Sequence, residues 1–98
     1  MIRHILLFDF SEDIKTKKAE SETLKKIKES VDTLKSIKEL KYASINLNLS
    51  NTSDLVFYTE FESEEDLKKY QTNEIHLAHA KRTKEYVTNR RVIDFKEN

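Results

Sequence analysis

Not one glycine or proline occurs in the 98 residues of this chain, where average usage would place about 7% and 5%. That feature alone removes whole classes of function. Glycine-rich phosphate loops, both the P-loop and the dinucleotide-binding fingerprint, need glycine so that backbone N–H groups can approach a phosphate. Turns fall instead to Asn, Asp, Ser and Lys. Cysteine is also absent, which excludes disulfides, thiolate catalysis and cysteine metal sites. The 18 Lys+Arg balance 18 Asp+Glu, so no global field draws the chain to nucleic acid or to an anionic membrane. Neither is expected as a partner.

Hydrophobic periodicity divides the chain into alternating strands and helices. Ile2, His4, Leu6, Phe8 and Phe10 share one face of a first strand, with Ile5 and Leu7 on the other, so both faces need cover. Leu24, Ile27, Val31, Leu34 and Ile37 step by three or four, predicting an amphipathic helix that begins at Ser11 or at Ser21. Lys41 to Leu49 alternates again, with Ala43, Ile45, Leu47 and Leu49 on one side. Ser50 to Ser53 forms a turn and Asp54 to Phe61 a third strand. Ser63 then caps a short helix with Glu64, Glu65 and Asp66 in its first turn, favourable for the macrodipole. Leu67 and Tyr70 face inward, and Asn73 breaks the helix. A further helix runs from about Glu74 to Thr88, and Arg91 to Phe95 is the last strand.

The order is β-α-β-β-α-β, an α+β ferredoxin-like arrangement with an antiparallel sheet, in one domain over residues 1–98. The helices suffice to cover one sheet face. Leaving the other wet would expose an apolar patch of a size that soluble monomers rarely carry. A symmetric homodimer of facing sheets is therefore expected. The first apolar run, Ile5 to Phe8, is far short of the roughly 20 residues of a membrane span, and the expected location is cytoplasmic. Charge is uneven along the chain. Asp54 to Asp66 holds six acids and no base, whereas Lys81 to Asn98 holds six bases against three acids. Two solvated faces of opposite sign account for this, with a self-complementary dimer edge as the alternative.

Three stretches resemble the stress-responsive A/B-barrel (Dabb) family. Met1-Ile-Arg-His-Ile-Leu-Leu-Phe-Asp-Phe10 is similar to its opening strand. Asn48-Leu-Ser50 and Asp54-Leu-Val-Phe-Tyr-Thr-Glu-Phe-Glu-Ser63 resemble its second hairpin and helix cap. Tyr70-Gln-Thr-Asn-Glu-Ile-His76 and Arg90-Arg-Val-Ile-Asp-Phe95 resemble its Tyr-x5-His helix and closing strand. The resemblance covers essentially the whole chain and implies a dimeric α/β barrel of two ferredoxin-like protomers. Two family features differ: Asn73-Glu74 stands where His-Pro is usual, and Lys38-Glu39-Leu40-Lys41 where Pro-Gly often follows the first helix.

His4, Tyr70, His76 and Asp94 are the candidates for chemistry. His4 shares its strand face with Leu6 and Phe8. On a helix from Ile75, residues Ile75, His76, His79, Ala80, Thr83, Tyr86 and Val87 fall within about 140° of arc, placing both histidines on or beside the buried face. A histidine in an apolar pocket stays neutral near pH 7 and accepts a proton when an acid orients its other nitrogen. Asp94 is the expected acid, and Tyr70 a donor to a developing oxyanion. The resemblance implies a similar set. Polyketide cyclases of the family use the residue matching His76 as base and that matching Asp94 as its partner, with the matches to His4 and Tyr70 in the same pocket. Their first-helix tyrosine has no counterpart in Thr23 to Lys28. His76-x-x-His79 with His4 is the spacing of a three-histidine metal site, but no HExxH and no carboxylate at helical ligand spacing supports it. Neither metal nor cofactor is expected.

Three function classes follow. The leading one is a homodimeric stress-responsive A/B-barrel protein with a pocket between sheet and helices. That pocket, lined by Leu6, Phe8, His79 and Tyr86, would bind a small, partly apolar ligand. The second is a cofactor-independent cyclase or lyase with His76 as general base. The third is a structural dimer whose histidines fill the core. Pocket volume separates them, since a ligand site needs roughly 300 Å3 or more.

Overall fold

The computed structural model describes all 98 residues, Met1–Asn98. Four strands, β1 (Ile2–Phe10), β2 (Tyr42–Leu47), β3 (Leu55–Phe61) and β4 (Val87–Lys96), form one sheet in the order β2-β3-β1-β4. Every neighbouring pair is antiparallel. Four helices, α1 (Glu12–Thr16), α2 (Glu20–Leu34), α3 (Glu64–Thr72) and α4 (Glu74–Thr83), complete the expected α+β ferredoxin-like topology. None of them is long and apolar enough to cross a membrane.

Residues paired across strands share a sheet face, which fixes the two sides. One side presents Ile2, His4 and Leu6 beside Phe57, Thr59 and Phe61, all buried. Ile27, Val31 and Leu34 of α2 and Leu67 and Tyr70 of α3 close over it, forming a core cluster of 15 buried hydrophobic residues. The other side presents Ile5, Leu7, Val56, Tyr58, Ile93 and Phe95, with no helix above it, and leaves Ile93 46% and Phe95 42% exposed. On that face Arg3 donates to Glu60 at 2.5 Å and to Glu97 at 3.2 Å, and also contacts the Tyr58 hydroxyl.

Several boundaries differ from the sequence expectation. Ser11 caps α1, accepting from the Ile14 N–H at 3.4 Å, while α2 begins after Ala19 with no side-chain cap. Both halves of the expected helix exist, broken at Lys18, whose φ of 54° is left-handed. That position suits glycine, which this chain lacks. β2 ends at Leu47, so Leu47 is 57% exposed and Leu49 fully so, not inward as the alternation implied. The largest difference lies near the C-terminus. α4 stops at Thr83, and β4 starts at Val87 instead of Arg91. The β-branched pair Val87-Thr88 lengthens the ladder through Phe10↔Val87 and Asp9↔Thr88. Asn89, at φ 54°, takes the other left-handed position and donates to Asp9 at 2.9 Å. Sheet pairing here overrides a helical period that continued through Val87.

Candidate functional site

A cleft of about 610 Å3 opens between the β1–β4 edge and the α3–α4 corner. Leu6 and Phe8 of β1 and Val87 of β4 supply its apolar wall, and His4, His76 and His79 its imidazoles. A second groove of about 650 Å3 follows the free edge of β2 between Lys28, Lys35 and Tyr42. No histidine lines that groove, so the imidazoles single out the first cleft.

Asn73 shapes the corner. Its backbone N–H closes α3 on the Tyr70 carbonyl at 3.1 Å, and its side chain starts α4 by accepting from the Ile75 N–H at 2.8 Å. The chain therefore turns sharply without the family's proline, and His76 folds back beneath α3. Its ring lies 4.4 Å from Tyr70, and Tyr70 lies 4.8 Å from Phe61 (centroid distances). His76 Nδ1 meets the Gln71 carbonyl at 3.2 Å. A carbonyl only accepts, so the neutral ring carries its proton on Nδ1 and keeps Nε2 as an acceptor. Burial lowers the His76 pKa, with help from the charges of His4 and Arg90, against the smaller raising effect of Gln71.

His79 has the opposite polarity. Arg82 donates to the Ser30 hydroxyl twice, from Nε at 3.1 Å and from Nη2 at 2.9 Å. Those two bonds occupy the oxygen's lone pairs, so its own hydrogen goes to His79 Nδ1, 2.8 Å away. The neutral His79 ring is thus protonated on Nε2, a donor. Burial is the main reason that its pKa falls to about 4, reinforced by His76 and Arg82 and partly offset by the Ser30 backbone. With ring centroids 6.4 Å apart, the two imidazoles offer the cleft one acceptor and one donor. That combination can move a proton between a carbon acid and its carbonyl oxygen.

The remaining expectations divide. His4 is in the wall and buried, but Asp94 belongs to it and not to His76: the two are cross-strand partners, and the His4 Nδ1–H donates to the Asp94 carboxylate. The expected Asp94–His76 dyad is therefore corrected. Strand register determines Asp94's partner, and the Gln71 carbonyl occupies His76 Nδ1 instead. Tyr70, 1% exposed, backs the His76 ring and does not line the cleft. Burial raises its pKa and holds it as a neutral phenol. Leu6, Phe8 and His79 line the cleft. Tyr86 does not. With α4 ending at Thr83, Tyr86 falls in the connecting turn and faces Lys26, Ser30 and Arg82 on the far side of α4. The three histidines are not grouped to hold a metal ion.

Sequence reasoning missed Lys81, Lys84 and Arg90, which line the cleft, and the Ser30–Arg82 pair that sets the His79 tautomer. The basic excess after Lys81 is the available signal in the sequence.

The comparisons concern the fold and the family. A dimeric protein of unknown function with a ferredoxin-like fold from Bacteroides fragilis superposes with a TM-score of 0.79 at 25% identity, covering 98% of this chain and 95% of its own. A Dabb family protein from Mesorhizobium loti superposes at 0.81 with 19% identity, covering 99% and 96%. A hydroxynitrile lyase from Passiflora edulis does so at 0.79 with 16% identity, covering 99% and 93%. Below 25% identity the likeness is one of fold. No curated protein matches significantly. The model for the stress responsive A/B barrel domain matches residues 2–97, from the first residue of β1 to just past the end of β4, and this chain belongs to that family.

Proposed function

We propose that the protein is a cytoplasmic homodimer, paired through its open sheet faces, that binds a small, partly apolar molecule in the histidine-lined cleft. One observation carries the ligand reading: the cleft's volume of about 610 Å3 lies within the roughly 300–1,000 Å3 of ligand sites, whereas a packed histidine cluster needs almost none. The open apolar face and the dimeric Bacteroides fragilis neighbour support the pairing. Native mass spectrometry of the protein from its own host cells tests the reading. The expected spectrum is a dimer with a small-molecule adduct that disappears on denaturation. A bare dimer, with cleft amides unmoved by a panel of apolar fragments, would favour the structural-dimer class.

A second reading has its own observation. His76 presents a free acceptor nitrogen with a lowered pKa, and His79 a donor, as a proton-transferring cyclase or lyase requires. The Passiflora lyase indicates that the fold accommodates such chemistry in another protein. Deuterium exchange into β-keto compounds tests it, with His76→Gln expected to lower turnover by about 10²–10⁴-fold while folding normally. No exchange by the wild-type protein would reject the enzyme.

A further inference from the structure

Three cations converge on the cleft: Lys81 from the last turn of α4, Lys84 just after it, and Arg90 from β4. No carboxylate lines the same wall. None of the three takes part in any of the ion pairs formed elsewhere in the protein. A chain with net charge +0 has no overall excess to explain this, so the positive field is local to one concave surface. Low-dielectric walls focus such a field. The neutral His79, held by Ser30 with Nε2 protonated, adds a fixed hydrogen-bond donor. Opposite this polar side lie Leu6, Phe8 and Val87, which present hydrocarbon only.

We propose that the cleft selects a small organic carboxylate on a short apolar chain. The charge lies against Lys81, Lys84 and Arg90, and the chain lies against Leu6, Phe8 and Val87. This assignment rests on the ligand-binding reading of the cleft and narrows it to one chemical class. The guanidinium of Arg90 suits a carboxylate by offering two parallel N–H groups, with the lysines as point charges beside it. A neutral ligand would leave three cations without a counter-charge, and a cation would meet repulsion from each.

Four probes of known chemistry test it: hexanoate, 1-hexanol, hexylammonium and acetate, each titrated into 15N-labelled protein at low salt. The expected result is displacement of the Leu6, His79 and Val87 amides by hexanoate at the lowest concentration. Hexanol should be weaker by about fivefold or more, since each exposed charge contact changes affinity by about twofold to fivefold. Hexylammonium and acetate should be weaker still. The double variant Lys84→Gln/Arg90→Gln alters exposed side chains and should fold normally, with hexanoate and hexanol brought within about twofold of each other. Hexanol binding as tightly as hexanoate to the wild-type protein would overturn the carboxylate assignment and leave the ligand reading standing. A preference that survives in the double variant would overturn the assignment to these side chains. Silence from all four probes would overturn both.

Discussion

The two faces of the sheet are made by the same strands yet are built to different rules. On the covered face the buried polar groups are few and each has a partner: Thr59 donates to the His4 carbonyl at 2.8 Å, His4 to Asp94, and Ser30 to His79. No buried side-chain polar atom is left without a hydrogen bond. On the open face, apolar side chains such as Ile93 and Phe95 stay exposed around a network of Arg3, Tyr58 and Glu60. The contrast separates two tasks. The covered face fixes a cleft, where an unpaired polar group would be costly. The open face leaves apolar area uncovered, with the Arg3, Glu60 and Glu97 charges tied to one another within the protomer.

The sharpest way to break this contrast is to make matched changes on both sides. Leu34→Ala removes a fully buried side chain and should cost about 2–5 kcal/mol of folding stability, read by urea denaturation, while the purified protein stays dimeric. Ile93→Asp, next to Ile5 on the open face, should leave the protomer folded. Light scattering should then show its mass falling from about twice 11.6 kDa to that of one chain. A dimer unaffected by Ile93→Asp would mean that the open face is not the interface.

Between pH 6.5 and about 4, acid should act through the histidines of the covered face. His79 has a pKa of about 4 in the folded protein against 6.5 for a free histidine. Above pH 6.5 neither state protonates it. Between 6.5 and about 4 only the unfolded chain takes up the proton, so stability rises with pH across that window and is lost on acidification. Its contribution is up to about 2 kcal/mol between pH 6.5 and 5, and the lowered His76 pKa adds in the same direction. Urea midpoints at fixed protein concentration should follow that slope, and His79→Gln should flatten it. An unchanged slope in the variant would remove His79 from the account.

Ser30→Ala sharpens the same point at smaller scale. It strips both Arg82 and His79 Nδ1 of their shared partner and should cost about 1–3 kcal/mol, measurable in the same urea series. The smallest effect is expected at Lys18, where the left-handed φ of 54° penalises any side chain. Lys18→Gly should raise the melting temperature by a few degrees, because relief of about 1 kcal/mol shifts a domain of this size by about 4–8 °C, less the entropy that glycine adds to the unfolded chain.

The first three strands and the inward stripe of α2 were legible because each has a clear period and one buried face. The break at Lys18 was not, since it carries no glycine to mark it. The α4–β4 boundary was misplaced because Tyr86 and Val87 continue a helical arc, and only the pairing of Val87 with Phe10 and Thr88 with Asp9 decides for a strand. In the site, the spacing of His76 and His79 placed both on the cleft side. Asp94 was assigned to the wrong histidine because cross-strand register, which sets His4 opposite Asp94, is invisible until the sheet is built. Arg90 was overlooked for a related reason: it lay in the segment between helix and strand that sequence left without structure.

The cleft holds two neutral imidazoles of opposite polarity, and side-chain 15N NMR of the histidines reads this directly. At pH 7, His76 should show a protonated Nδ1 and a bare Nε2, and His79 a bare Nδ1 and a protonated Nε2, with His79 remaining neutral on acidification to pH 5.5. The same tautomer on both rings, or a charged His79 at pH 7, would contradict it.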